Sequence, residues 1–342
     1  MNDANSYIKR DIMADNTKPV VMARNLTKVF KDFWGRPRVK AVDDISFQIN
    51  QGEVYGLLGP NGSGKSTTLK LLLGLLFPTK GQISILGKPV SHVAVKQRIG
   101  FLPEESYLYG YLSARETLEF YGKLFDLTAA QRKQRAEQLL DIVGLEKVAS
   151  RPVREFSKGM ARRLGLAQAL INDPDLIFLD EPTSGLDPIG TRQIKDLISD
   201  LKQRGKTVLL CSHLLADVED VCDRISILYG GKIKVEGKVS DLLQNHNTLQ
   251  INMPDLKMST IEKIKKVIME TENNPDISIE HPHDRLETFF LNVVEQAVKD
   301  KDETSGAQIH LAGKKEPEPQ TADQNTAETT DTDLIKHLMD KE

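Results

Sequence analysis

Gly59-Pro60-Asn61-Gly62-Ser63-Gly64-Lys65-Ser66-Thr67 lies between a short apolar run, Glu53 to Leu58, and a segment carrying Leu69, Leu72, Leu73 and Leu76. The first flank reads as a buried strand and the second as a helix with its leucines on one side. A strand, a glycine-rich turn and a helix start, in that order, make a phosphate-binding loop. The glycines let backbone N–H groups converge on phosphate oxygens without obstruction, and the helix adds the positive end of its dipole. In this reading Lys65 reaches the β- and γ-phosphates of a nucleotide and the Ser66 hydroxyl ligates Mg2+.

Further along, Leu176-Ile177-Phe178-Leu179-Asp180-Glu181 is an apolar strand ending in two carboxylates. Fed into a phosphate site, the first carboxylate suits Mg2+ coordination and the second suits activation of a water. Strand character recurs at Thr207 to Leu210 and Arg224 to Leu228, and alternation marks half-buried strands at Val20 to Phe30 and Ile45 to Ile49. Between the last two, Lys31 to Lys40 is rich in Trp, Gly, Pro and basic residues and reads as a hairpin loop. From Pro103 to about Leu170 the pattern is helical: Ser113 and Glu116 make a capping box, and Thr128 caps a second helix that runs to Gly144. Strands alternating with helices predict a mostly parallel α/β sheet with a helical insertion.

Composition narrows the function. The 342 residues carry 46 Lys+Arg against 49 Asp+Glu, a formal charge of −3, which argues against a nucleic-acid binder working by bulk positive charge. Length suggests about two domains. Only 2 cysteines are present, too few for a disulfide framework, so a reducing compartment is the default, and Cys211 in its apolar run reads as a small buried hydrophobe. The most apolar stretch, Leu69 to Phe77, is far short of a membrane span and carries Lys70, while Met1 to Asp11 has no apolar core of a secretory signal. The expected location is therefore cytoplasmic.

After about Asn245 a smaller unit is predicted: a strand at Leu249 to Met253, a helix from Ser259 to about Met269, a strand at Ile277 to Glu280 and a helix from Leu286 to Val298. His281 and His283 are spaced like metal ligands on a strand, but no supporting cluster accompanies them. Beyond Asp300 the chain is polar and acidic, a composition that predicts disorder. At its end Leu334, Ile335, Leu338 and Met339 are either incidental to a frayed terminus or one face of a short docking helix.

With Phe156-Ser157-Lys158-Gly159-Met160 upstream of the acidic strand, the chain resembles the ATP-binding cassette (ABC) ATPases over about residues 20 to 245. The family's motifs occur in the family's order. Phe30 stands where an aromatic stacks on adenine, with Phe33 and Trp34 as alternatives, followed by the phosphate loop and by Glu104 at a position usually held by glutamine. Ser157 and Gly159 match the signature, Asp180 and Glu181 the acidic strand, Ser184-Gly185-Leu186-Asp187 the next loop and His213 the switch histidine. There are two departures. Lys158 and Met160 replace the usual Gly and Gln, as in exporter-type ATPases, and the Glu104 carboxylate would repel a γ-phosphate unless Mg2+ lay between them.

The resemblance implies an α/β P-loop NTPase-type core at residues 19–245, with the insertion at about 103–170. Residues 1–18 would be a flexible lead-in, 246–300 a small α+β accessory domain and 301–342 the acidic disordered tail. It further implies an ATP-hydrolysing subunit of an exporter-type transporter, peripheral on the cytoplasmic face of the membrane and using ATP and Mg2+. Asn61, Gly62, Ser63, Gly64, Lys65, Ser66 and Thr67, with Gly59 and Pro60, would hold the phosphates, and Ser66, Asp180 and Glu104 would hold the metal. Glu181 would polarise water and His213 would hold it. Ser157 and Gly159 would contact nucleotide held by a second cassette in a homodimer or a pseudo-dimer. A multi-helix permease on a separate chain would dock on the insertion, and no nucleic acid is expected. A soluble mechanical ATPase acting on DNA or ribosomes is the alternative, disfavoured because no long coiled coil, zinc hook or second cassette is present.

Overall fold

Strand β3 (Val54–Leu58) is buried along its whole length, which demands apolar cover on both faces. The computed structural model describes residues 19–243 and 258–271. Within them β3 sits inside a six-stranded sheet of order β10-β9-β3-β8-β7-β6. Its members are β6 (Ile99–Leu102), β7 (Leu176–Asp180), β8 (Thr207–Ser212), β9 (Arg224–Tyr229) and β10 (Lys232–Lys238). All neighbours run parallel except β10, which pairs antiparallel with β9.

Alternation along these strands divides the core in two. Val54, Leu58, Ile177, Leu179, Val208 and Leu210 enter one cluster, with helices α3 (Ala114–Leu124), α4 (Ala129–Ile142), α5 (Lys158–Ala169) and α6 (Pro188–Gln203). Tyr55, Leu57, Leu176, Phe178, Leu209 and Cys211 point the other way. There they meet α1 (Lys65–Leu72) and a second, antiparallel sheet of order β2-β1-β4-β5. That sheet comprises β1 (Pro19–Lys31), β2 (Pro37–Asn50), β4 (Lys80–Ile85) and β5 (Lys88–Pro89). Short helices α2 (Val93–Lys96), α7 (Leu215–Val221) and α8 (Val239–Leu243) complete this body, and α9 (Met258–Thr271) has no buried residue.

The mostly parallel α/β sheet is present, and both helix starts carry full capping boxes, Ser113 with Glu116 and Thr128 with Gln131. Other expectations need correction. The helix after the glycine-rich loop ends at Leu72, because Gly74 adopts a φ of 68° and turns the chain; Leu71 is buried while Leu76 lies beyond the helix. The hairpin loop expected over Lys31 to Lys40 closes within residues 32–36, and β2 already begins at Pro37. Strands β4, β5, β6 and β10 had no distinct sequence signal: β6 has four residues, and β10 is a mostly exposed edge without alternation. The helix predicted from Ser259 is α9, whereas the predicted strands at Leu249 and Ile277, the helix at Leu286, His281, His283 and the terminal helix lie outside the described residues.

Two buried polar networks tie the layers together. The Tyr55 hydroxyl, in the middle of the sheet, bonds to Ser226 and donates to Glu236 at 3.0 Å, and Arg224 bridges Glu236 at 2.7 Å and Glu53 at 3.0 Å. On the opposite side Lys195 of α6, only 6% exposed, meets Asp217 at 3.0 Å and Asp220 at 2.8 Å on α7. Thr183 donates to the same Asp217 at 2.5 Å. Removing the cation would leave the Asp217 carboxylate buried without a counter-charge, a loss of about 3 kcal/mol. Lys195→Met should therefore lower the urea midpoint accordingly, with the m-value unchanged. A loss under about 1 kcal/mol would mean that Asp217 is solvated through a path to the surface.

Candidate active site

Strands β3, β6, β7 and β8 are parallel, so their carboxyl ends meet at one edge of the sheet, where open α/β sheets bind ligands. From β3 the chain enters the glycine-rich loop. A side chain at Gly59 would collide with the Leu228 carbonyl, and one at Gly64 with the Ala41 carbonyl. Gly64 is also the N-cap of α1 and offers no side-chain cap, so the first amides of that helix remain available to a ligand. Lys65 is 6% exposed and donates to the Gly59 carbonyl at 2.7 Å and the Pro60 carbonyl at 3.3 Å, folded back over the loop.

The neighbouring strand β7 ends at Asp180, followed by Glu181, both buried. Burial pushes the Asp180 carboxyl up to about 6, reinforced by the charges of Glu104 and Glu181 and opposed by the Ser66 hydroxyl and Lys65. One of its oxygens, Oδ1, has no hydrogen-bond partner although it is buried. Such an orphaned acceptor is costly unless a ligand completes it. Glu181 adopts a φ of 50°, a left-handed conformation that costs a non-glycine residue about 1 kcal/mol. Its N–H donates to the Cys211 carbonyl at 2.9 Å. Its carboxylate lies 3.8 Å from the Lys65 amine and 2.8 Å from Nδ1 of His213, just past the end of β8. Glu181 is thus suspended between a lysine and an imidazole.

A cavity of about 700 Å³ opens above these groups. Asn61, Gly62, Gly64, Lys65, Ser66 and Thr67 form its floor, and Glu104, Glu181 and His213 one wall. The opposite wall is the hairpin, where Phe30 pairs with Val39 across β1 and β2, beside Lys31, Arg38, Lys40 and Ala41. Four cations, Lys31, Arg38, Lys40 and Lys65, outnumber the two carboxylates, which suits a polyanion with an apolar end. Phe30 is 38% exposed on this wall, whereas Phe33 and Trp34 stand in the hairpin turn and do not line the cavity.

Not every candidate comes to the cavity. Gly59, Pro60, Ser63 and Asp180 are not among the residues that line it, although Asp180 is buried nearby. Ser157 and Gly159 are elsewhere: Ser157 caps α5 by accepting from the Met160 amide at 3.2 Å, and the Lys158 amine lies over Gly185 of the following loop. Among the described residues no group of three or more His, Cys, Asp or Glu could hold a metal alone. Sequence reasoning passed over Arg162, buried between the loops that carry Glu104 and the acidic pair. It also gave no role to Arg38 and Lys40, which register with β1 brings to the wall.

Comparison with known proteins places this geometry. The model of the ABC transporter family matches residues 42–184. An uncharacterized ABC transporter ATP-binding protein of Nostoc sp. is 47% identical over 239 residues, covering 69% of this chain and 71% of that protein. The linearmycin resistance ATP-binding protein LnrL of Bacillus subtilis is 35% identical, covering 80% of this chain and 89% of its own. A dimeric ATP-binding cassette solved in a post-hydrolysis state with ADP and Pi superposes with a TM-score of 0.60 at 29% identity, over 64% of this chain and 98% of that one. A strand, glycine-rich loop and helix beneath a cationic cavity, with two carboxylates and a histidine at its rim, are features of a nucleotide-hydrolysing cassette. On these grounds the chain belongs to the ATP-binding proteins of ABC transporters, ATPases that couple ATP hydrolysis to transport.

Proposed function

We propose that this chain powers an exporter, with Glu181 as the base that polarises the attacking water and His213 as the group that holds that water against the γ-phosphate. The observation that carries the assignment is the suspension of the Glu181 carboxylate between Lys65 at 3.8 Å and His213 at 2.8 Å, at the rim of the cavity. A carboxylate so placed is both oriented and within reach of a γ-phosphate bound by the loop amides and Lys65. Phe30 would stack on adenine, and Lys40, next to the Ala41 carbonyl that abuts Gly64, stands on the side of the phosphates. Glycines 59, 62 and 64, with Pro60, Asn61, Ser63, Ser66 and Thr67, shape the phosphate cradle.

The residues fit Mg2+. Asp180 supplies the unpartnered Oδ1 and Ser66 the hydroxyl beside it, and Glu104, whose charge already acts on Asp180, is the further carboxylate. The metal would neutralise phosphate charge and so let Glu104 face the γ-phosphate.

Two features support partners. Ser157 and Gly159 do not line the cavity of their own chain, which suits contact with nucleotide in a second cassette, in a homodimer or with a related chain. No helix among the described residues is long and apolar enough to cross a membrane, and we assign the passage across the membrane to a permease on a separate chain. Between β6 and α3, Tyr107 and Tyr111 are 82% and 73% exposed, and Tyr109 packs edge-on against Phe120. That aromatic patch is the surface we assign to permease docking. The direction of transport rests on the similarity to a resistance cassette. Residues 246–300, of which α9 presents Ile261, Ile264 and Ile268 on one side, would form the accessory unit.

Replacing Glu181 with Gln removes the base and keeps its size. ATP binding should persist while turnover falls about 10²- to 10⁴-fold, and an ATP-bound dimer should appear on a sizing column. Near-normal turnover would reject Glu181 as the base. For the metal, Glu104→Gln should need several-fold more Mg2+ to reach half of its own maximal rate. Identical Mg2+ titrations of the two proteins would place the Glu104 carboxylate in solvent.

A further inference from the structure

Arg162 lies on α5 and is 5% exposed. Each of its N–H groups finds a backbone carbonyl. Nε donates to Pro182 at 3.1 Å, one terminal nitrogen to Pro103 and to Glu104 at 2.9 Å, and the other to Asp180 at 2.5 Å and Glu181 at 2.7 Å. The acceptors come from two segments distant in sequence, the chain leaving β6 and the chain leaving β7. The β6–β7 ladder runs as far as Leu102 and Leu179, and Arg162 ties the two segments together beyond it. Burial draws the guanidinium down to about 10, with Asp180, Glu104 and Glu181 opposing the shift, so it stays charged at neutral pH.

We propose that Arg162 is a positioning residue for ATP hydrolysis, whose five-carbonyl clasp sets the placement of Glu104 relative to Asp180 and Glu181. The proposal rests on the reading of those three carboxylates given above. A planar guanidinium can serve five acceptors arranged around one plane, whereas a lysine amine has three donors and no fixed fork. The clasp also fixes the backbone of Glu181, the residue in the left-handed conformation, from the side opposite its N–H bond to Cys211. Ser157, at the start of the same helix, lies five residues away, about 7.5 Å along the axis. A rigid helix therefore joins the segment that would meet a partner's nucleotide to the loops of this chain's own site.

The test is steady-state ATP hydrolysis by full-length Arg162→Gln and Arg162→Lys, with binding of trinitrophenyl-ATP and thermal melting measured on the same samples. Loss of placement without loss of the binding loop should lower kcat about 10- to 100-fold in both variants while KM for ATP and analogue affinity stay within about threefold. Unchanged kcat in Arg162→Gln overturns the proposal. Full recovery in Arg162→Lys also overturns it, because charge alone would then suffice. If both variants lose melting and analogue binding together, Arg162 is a structural residue and the proposal fails. Measuring Glu181→Gln alongside keeps the two readings apart: turnover kept there but lost in Arg162→Gln would remove Glu181 as the base and leave the clasp standing.

Discussion

The parallel pairing of β3, β8, β7 and β6 is the constraint on which the site depends. Parallel strands leave their carboxyl ends at one edge, and each of these four ends there in a polar segment. β3 runs into the glycine-rich loop, β7 into Asp180 and Glu181, β8 into Ser212 and His213, and β6 into Pro103 and Glu104. The strands must be apolar on both faces to stay buried, so their chemistry can reside only at the ends. Shifting β7 by a residue would exchange its side chains between the two cores and move Asp180 and Glu181 off the edge together.

Electrostatics then set what the edge can hold. Burial pushes the Asp180 carboxyl up, and the charges of Glu104 and Glu181 add to that push. Lys65 from one side and Arg162 from beneath offset it, the first through a contact with Glu181 and the second through the carbonyls of both acidic residues. One oxygen of Asp180, Oδ1, is left without a hydrogen-bond partner, which is the ground for the proposed Mg2+ contact. Strain at Glu181, charge at Asp180 and the unpaired oxygen all fall on two adjacent residues, the concentration expected where a protein stores free energy for function.

Ser157 and Gly159 stand outside the cavity whose walls come from the hairpin, the phosphate loop and the acidic edge. Ser157 is an exposed N-cap at the start of a helix, with Lys158 turned onto Gly185. That placement is the basis of the proposed contact with a second cassette. Exposed tyrosines on the insertion add a second outward-facing surface.

Whatever depends on neighbours in the chain was legible in the sequence. The glycine-rich loop between a strand and a helix, the apolar strand closing on Asp180-Glu181, and the Ser113 and Thr128 caps are signals written within a few residues, because hydrogen bonds and backbone conformations there are local. Tertiary structure decided the rest. β10 and the two-residue β5 exist because a partner edge accepts them, and the hairpin tightens because β1 and β2 pair almost to its tip; the stop of α1 at Gly74 is local, and the leucine pattern overran it. Arg162 and Arg163 are neighbours of identical chemistry. Only the packing of α5 against the ends of β6 and β7 buries one of them against five carbonyls, since helix geometry points successive side chains in directions that no sequence pattern distinguishes until a second surface is in place.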